Sequence, residues 1–311
     1  MHAYLIMAHK NIQQLKILLK LLDYKENDIF IHIDATADDE MKNYNYQHCC
    51  KCSKVYSKSV IDVKWGDVSQ IATEIFLLKF AMRQQKYEYY HLISGMDLPL
   101  KSQKEIHHFF YLNKGKEFVN YSGKDKTGNI LVNDRAKYYW LTKYYDKLPV
   151  KKSRAIMSRI DKMQILFQRL LNINRLKKFE IVKLYHGANW FSITNNLAGE
   201  LVQNENIILN IYKNSCCCDE VFLQTYIKNN QFFDHLYIPK LDNGFQSIMR
   251  NIDWNRGMPY TWREEDFEEL INSNYLFARK FDETVDSTII ELISDYILKI
   301  SINVKKGIYN E

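Results

Sequence analysis

Short apolar runs alternate along the chain with longer stretches in which apolar residues recur every three or four positions. That is the pattern of strands buried on both faces and joined by amphipathic helices. Tyr4 to Ala8 predicts a first strand ending at His9 and Lys10, and Asn11 is placed to cap a helix carrying Ile12, Leu15, Leu18, Leu19 and Leu22. Asp28 to Asp34 predicts a second strand, again ending in a carboxylate. Val60 to Lys64 reads as a further short strand leading to Trp65, Gly66 and Asp67, and Ile71, Ile75, Leu78 and Met82 then share one helical face. The chain is organised around Tyr89 to Ile93, an aromatic and apolar run without alternation that Ser94 and Gly95 close. Gly95 permits a sharp turn, Asp97 sets a carboxylate beyond the strand's carboxyl end, and Pro99 is expected to keep the backbone out of a sheet. Ligands of open α/β sheets bind at that edge. An ordinary turn with Asp97 as a local acceptor accounts for the same residues equally well.

Further on, Ser102 and Glu105 have capping-box spacing, and Glu117 to Tyr121 predicts a returning strand. Tyr138 to Tyr145 interleaves aromatic residues with Lys143, and Arg135 lies just upstream. Such a segment stacks on a sugar face or lines a core edge. Lys151 to Lys178 predicts a basic amphipathic helix with Ile156, Ile160, Met163, Phe167, Leu170 and Leu171 on one side. It suits either docking on the main core or an anionic membrane surface. His186 to Thr194 is a Gly-Trp turn entering a strand, after which Thr194 or Asn195 caps a helix. Ser215 to Glu220 opens another helix, with Asp219 and Glu220 in its first turn, where the helix dipole favours ionised carboxylates. Arg250 to Asp253, Arg256, a second capping box at Thr261 and Glu264, and Leu276 to Asp282 complete the pattern.

Composition narrows the function classes. The 43 basic and 37 acidic residues are too balanced for a dedicated nucleic-acid binder; Arg256, Arg263, Arg279 and Lys280 form a late cationic group that surface solvation explains and that a diphosphate would also need. With 46% hydrophobic residues, 4 Pro and 10 Gly, one α/β unit without a flexible linker is expected. No run reaches the length of about 18 apolar residues that a membrane span needs, and no basic leader precedes the first strand. A cytoplasmic protein, or a chain trimmed of its anchor, is therefore expected. The six cysteines fall as Cys49, Cys50, Cys52 and Cys216, Cys217, Cys218, a poor disulfide framework, so reduced thiols are expected. Their spacing departs from standard zinc-binding pairs, although a site with His48 is conceivable.

Taken in order, AYLIMAHKN, IFIHID, VKWGDVSQIATEIFLLKFAM, YYHLISGMDLPLKSQKEI, GANWFSIT, CCDEVFLQT and LFARKFD resemble the core-2/I-branching β-1,6-N-acetylglucosaminyltransferase family. That family also includes the protein xylosyltransferases. The resemblance implies a GT-A-like α/β fold with a single Rossmann-like mixed sheet and helices on both faces. Residues 1–125 would form the nucleotide-sugar half and 126–311 the acceptor and catalytic half, with 151–178 as a basic helical insertion. It implies a UDP-sugar donor, inversion at the anomeric centre, and no metal or other cofactor. The chain accordingly contains no Asp-x-Asp.

By the same resemblance Glu220 is the general base, with Cys218 where the family often carries Pro. Lys280 and, with a one-residue shift, Arg256 would neutralise the diphosphate. His9, Asp34, Trp65, Ser94, Gly95 and Asp97 match positions around the donor. Trp190, with Arg135 and Tyr138, is assigned to the acceptor side. The implied reaction moves a sugar, GlcNAc in the first place, to a glycan or lipid-linked glycan hydroxyl. The implied location is the cytoplasm, in peripheral contact with the inner face of the plasma membrane through 151–178. UDP-xylose or UDP-glucose as donor, or a catalytically silent sugar-binding protein on the same fold, are the alternatives. Nucleic acid is not expected as a partner.

Overall fold

The computed structural model describes residues 1–123, 126–127, 130–140, 151–257 and 259–307. Strands β1 (His2–Ala8), β2 (Asn27–Ile33), β3 (Lys54–Lys58), β4 (Tyr89–Ser94), β6 (Phe118–Val119) and β7 (Phe191–Thr194) form one six-stranded sheet in the order β3-β2-β1-β4-β7-β6. The β3-β2-β1-β4 portion is parallel, while β7 runs antiparallel to both neighbours. A second sheet holds β5 (Asp97–Pro99), β8 (Arg250–Ile252) and β9 (Phe277–Arg279), with β9 in the middle.

The two-residue period of a strand sends successive side chains to opposite faces. Ala3 and Leu5 of β1 pack with α2 (Val68–Met82), α5 (Asn195–Gln203), α6 (Glu205–Tyr212) and α7 (Phe222–Asn229). Tyr4 and Ile6 pack on the other side with α1 (Ile12–Leu22), α3 (Gln103–Leu112), α8 (Thr288–Gly307) and the second sheet. Burial on both faces explains why β1, β2 and β4 read as continuous apolar runs. The α/β class expected from the sequence, a mixed sheet with helices on both faces, is the class observed.

The local signals held where a side chain satisfies its own backbone neighbour. Ser102 accepts from Glu105 N while Glu105 accepts from Ser102 N, and Thr194 accepts from Leu197 N. Where distant groups intervene, the outcome differs. Asn11 takes a left-handed conformation, and its amide donates to Asp282 at 2.8 Å, so a contact across the fold replaces the expected cap. Val60 to Lys64 is no strand, because His32 and the Asp34 carboxylate take its Ile61 and Val63 amides. The edge strand is instead β3, whose lysine-bearing ends face solvent as edge strands tolerate. Pro99 does enter a sheet: β5 is an edge strand, where a missing N–H costs no ladder bond. The second sheet therefore joins the single sheet that was expected. Near Thr261 the helix-entry bond runs from Arg263 N to Asp266. Asp219 and Glu220 lie in a short 3-10 turn, Cys218–Glu220, ahead of α7.

The basic segment forms α4 (Lys151–Leu170) and a 3-10 turn, Arg175–Phe179. Its orientation reverses the core-docked expectation. Asp161, Ile165 and Gln168 face inward, whereas Ile156, Ile160, Met163, Phe167, Leu170 and Leu171 face out.

The turn from His186 to Trp190 is wedged between β6 and α7. Ser122 N donates to His186 O at 2.8 Å, Gly187 N to Glu220 O at 3.0 Å, and Ala188 N to Asn120 Oδ1 at 3.1 Å. A Cβ on Gly187 would lie 1.8 Å from Asn120 O. Neither backbone has room to yield. Gly187→Ala is therefore expected to lose roughly 2–4 kcal/mol of stability, read from the denaturant midpoint. An unchanged midpoint would show that the approach is looser than this.

Candidate active site

Glu220 ends the 3-10 turn with its side chain 30% exposed. Arg135, on the short helix Asp134–Lys137, is buried and donates to Glu220 Oε2 at 2.9 Å and to Cys217 O at 2.6 Å. His186 Nε2 lies 3.3 Å from the same oxygen. Burial alone would raise the Glu220 pKa, but the His186 contact and the Arg135 charge outweigh it and hold the carboxyl below its ordinary range. Arg135, expected on the acceptor side, is thus bound to Glu220 and, together with His186, favours its ionised form. His186 was missed as a site residue, although its place beside the Gly-Trp turn was visible.

Two further carboxyls lie behind this one. Asp219 accepts from Gln70 Nε2 at 3.1 Å, and burial together with the Glu220 charge pushes it up to about 7. Glu74 on α2 is fully buried, with no hydrogen-bond partner for either oxygen among the described residues. Burial, reinforced by Asp219, raises its pKa well above the ordinary value, so it is held neutral. Environment separates three neighbouring acids, favouring the charged form at Glu220 and pushing Asp219 and Glu74 toward the neutral one.

The loop Trp65, Gly66, Asp67 joins this site from β3. Gly66, with φ +72°, accepts from Cys217 N at 2.8 Å, and its N–H donates to Gln70. A Cβ there would meet Cys217 Sγ at 3.0 Å. Trp65 is left 51% exposed beside it, an apolar face on offer to a ligand.

The second half of the site lies where β1 and β4 end. Ser94 N and Oγ both donate to Asp97, and Arg279 donates to Ser94 Oγ and to Asp97 at 2.8 Å. Gly95 is required by packing: its N–H donates to Met7 O, and an added Cβ would press on Ala8 at 3.2 Å. Ser94 and Asp97 are thus occupied in holding the turn and Arg279. The Arg279 guanidinium lies 4.6 Å from the Trp190 ring, so the turn that carries His186 at one end carries this stacked pair at the other.

Lys280 follows. Its Nζ is 3.8 Å from Asp282, which also binds Lys10 Nζ at 2.8 Å. Burial, with Lys10 and Arg279 nearby, lowers the Lys280 pKa against the pull of Asp282. Lys10 was not singled out in the sequence. Two ammonium groups sharing one carboxylate leave a net positive charge at the carboxyl end of β1.

Other expected residues behave differently. Asp34 accepts from Thr36 N, Thr36 Oγ1 and Val63 N, so it closes its own loop as a turn-capping aspartate does. His9 is exposed at the end of β1. Arg256 gives its fork to Asp253, Asp266 and Glu269 and stacks on Tyr260, so three acids already balance its charge. The Tyr260 on which it stacks accepts, through its carbonyl, from the backbone N–H of Lys280. Tyr138 is a correction: it is 3% exposed and packs with Trp140 and Ile165, the core reading of that segment, while Tyr139 is the exposed ring. The remainder of the aromatic stretch, residues 141–145, lies outside the described residues. All six cysteines are free thiols. Among the described residues no group of three or more His, Cys, Asp or Glu side chains is placed to hold a metal.

The chain is 21% identical to rat xylosyltransferase 2, over 95% of this chain and 33% of that protein. It is 22% identical to Caenorhabditis elegans xylosyltransferase sqv-6, over 91% of this chain and 34% of that one. It therefore spans about a third of the length of these curated relatives. Among solved structures, apo mouse xyloside xylosyltransferase 1 aligns over 89% of this chain and 97% of its own, at 10% identity and a TM-score of 0.36. The profile of the Core-2/I-branching enzymes matches residues 2–272, and the chain belongs to that family.

Proposed function

We propose that the chain is an inverting glycosyltransferase that moves a sugar from a UDP-sugar to a hydroxyl of a glycan acceptor without a metal ion. The observation that supports this most is the Glu220 carboxylate, kept ionised by Arg135 and His186 while its neighbours Asp219 and Glu74 are driven toward neutrality. A sugar hydroxyl is a poor nucleophile at neutral pH and needs a base within hydrogen-bond reach. Glu220 takes that proton as the hydroxyl attacks the anomeric carbon from the face opposite UDP. The bond to UDP breaks, the configuration inverts, and the diphosphate leaves as an anion that needs cations more than a proton.

Lys280 and Lys10 supply that charge in this reading, with Arg256 as a further cation if it exchanges one of its acids for phosphate. Trp65 offers its exposed face to a sugar, while Trp190, buried under Arg279, acts by holding that guanidinium. Ser94, Gly95, Asp97 and Asp34 act mainly by holding the turns that form the donor pocket, with His9 at its rim. The donor sugar divides two readings. UDP-GlcNAc follows from the family's branching members, whereas the naming of the rat and nematode relatives as xylosyltransferases favours UDP-xylose. A few side chains around the sugar decide between them.

Glu220→Gln is expected to cost on the order of 10² or more in kcat, with donor affinity intact. Near-normal turnover would remove Glu220 from the mechanism. The pH dependence follows from the lowered Glu220 pKa. The base is already ionised at mildly acidic pH, so kcat/KM falls only toward the carboxylate range. In Arg135→Gln the stabilising cation is gone, the Glu220 pKa rises, and the acidic limb moves to higher pH. A limb that stays in place would mean that another group titrates. UDP release should be supported by one donor among UDP-GlcNAc, UDP-xylose, UDP-glucose and UDP-galactose and should survive EDTA, while Lys280→Ala raises the donor KM by roughly tenfold or more. Loss of turnover with EDTA would assign the diphosphate to a metal.

A further inference from the structure

The helix α4 (Lys151–Leu170) is amphipathic, yet it meets the body of the protein through its polar side. Its inward residues are Asp161, Ile165 and Gln168, spaced four and three apart. On the opposite side Met163 is 71% exposed, Phe167 62% and Leu170 74%, in line with Ile156, Ile160 and Leu171. A helix on a globular body ordinarily turns its apolar stripe to the core. A contiguous exposed stripe of this kind marks an interaction surface.

Charge identifies the occupant. Arg159 and Lys162 lie exposed along one edge of the stripe, and Lys177 and Lys178 are exposed in the following turn. A second copy of this chain would bring the same cations face to face in a chain whose formal net charge is already +6. Nucleic acid would leave the apolar stripe in water. An anionic bilayer satisfies both sides, since the apolar residues enter the acyl boundary while the cations meet headgroups. No helix among the described residues is long and apolar enough to cross a membrane, so the fit is to a helix lying in the interface. We infer that α4 is an interfacial anchor that docks the protein on an anionic lipid surface through Ile156, Ile160, Met163, Phe167 and Leu170.

The polar side of α4 leads to the catalytic loop. Tyr139 N donates to Gln168 Oε1 at 2.7 Å, Gln168 Nε2 donates back to Tyr139 O at 2.8 Å, and Arg169 pairs with Asp134. The next residue, Arg135, grips Glu220. Docking would bring the Glu220 loop to the membrane along with the helix, suiting a glycan acceptor carried on a lipid. That consequence rests on Glu220 being the base; the lipid binding itself does not.

The test is co-sedimentation of the full chain with vesicles of phosphatidylcholine alone and of phosphatidylcholine with about one third phosphatidylglycerol. Wild type and Glu220→Gln should pellet alike with the anionic vesicles only, and high salt should release them. Phe167→Glu with Leu170→Glu should weaken binding on the order of 10²-fold, and Arg159→Glu with Lys162→Glu also on the order of 10²-fold. These exposed positions should leave the melting temperature unchanged; Met163→Gln, a milder change, gives a second reading if the charged pair does not. Equal pelleting of all variants, or none with either vesicle, overturns the inference. So does lipid-free self-association that the same substitutions abolish, which would make the stripe an interface between copies. Turnover on soluble donor separates failure of this inference from failure of Glu220 as base.

Discussion

The joint between the two sheets depends on one buried cation. Arg250 opens β8 with 1% exposure, and its guanidinium donates to Leu92 O on β4, to Phe191 O on β7 and to Ile248 O in its own turn. Burial lowers its pKa to about 10, which still leaves it charged at neutral pH. A charge without water is tolerable when its donors meet acceptors of fixed position, as Nη1 and Nη2 do here, although Nε has no partner among the described residues. The strands that supply those carbonyls are thereby locked to the second sheet. Since β9 pairs with β8 and with β5, Arg279, Lys280 and Asp97 inherit their placement from this joint. The Phe277 ring lies 5.2 Å from the same guanidinium and closes it from solvent.

The candidate site extends the same logic to anions. Glu220, Asp219 and Glu74 would repel one another if all were ionised, and only one of them is given a guanidinium. Arg135 and His186 reach Glu220 from elements far apart in the chain, while Asp219 receives a neutral amide from Gln70. The cationic edge is built in the complementary way, with Lys10 and Lys280 sharing a single aspartate. The His186 to Trp190 turn links the two halves, contacting the Glu220 loop at one end and Arg279 at the other. A displacement of that turn would therefore disturb Glu220 and Arg279 together.

Much of this was legible in the sequence. The buried strands around Tyr89 to Ile93, the Ser102 capping box and the Thr194 cap are set by periods and pairings within a few residues. Glu220, Trp190 and Lys280 stood out through the resemblance. Arg135 was visible but its partner was not, because nothing local says that a guanidinium near an aromatic stretch will be buried against a carboxylate 85 residues away. Tyr138 followed its plainer core-edge reading, and Asp34 is occupied by its own loop, for a related reason: nearby groups claimed them first. Arg256 shows the same competition, its charge matched by three acids that the sequence could not rank.

By itself the sequence determined the class of the fold, the location of the central strands, and the amphipathicity of Lys151 to Leu170. Those properties follow from residue type and short-range spacing, which act whatever the rest of the chain does. Tertiary structure alone decided which side of α4 faces outward, which acid keeps its charge, and that Pro99 would serve as an edge strand. Each of these is the outcome of a contest among groups remote in sequence for the same water-free space. Such a contest is settled only when the competing groups are brought within bonding distance.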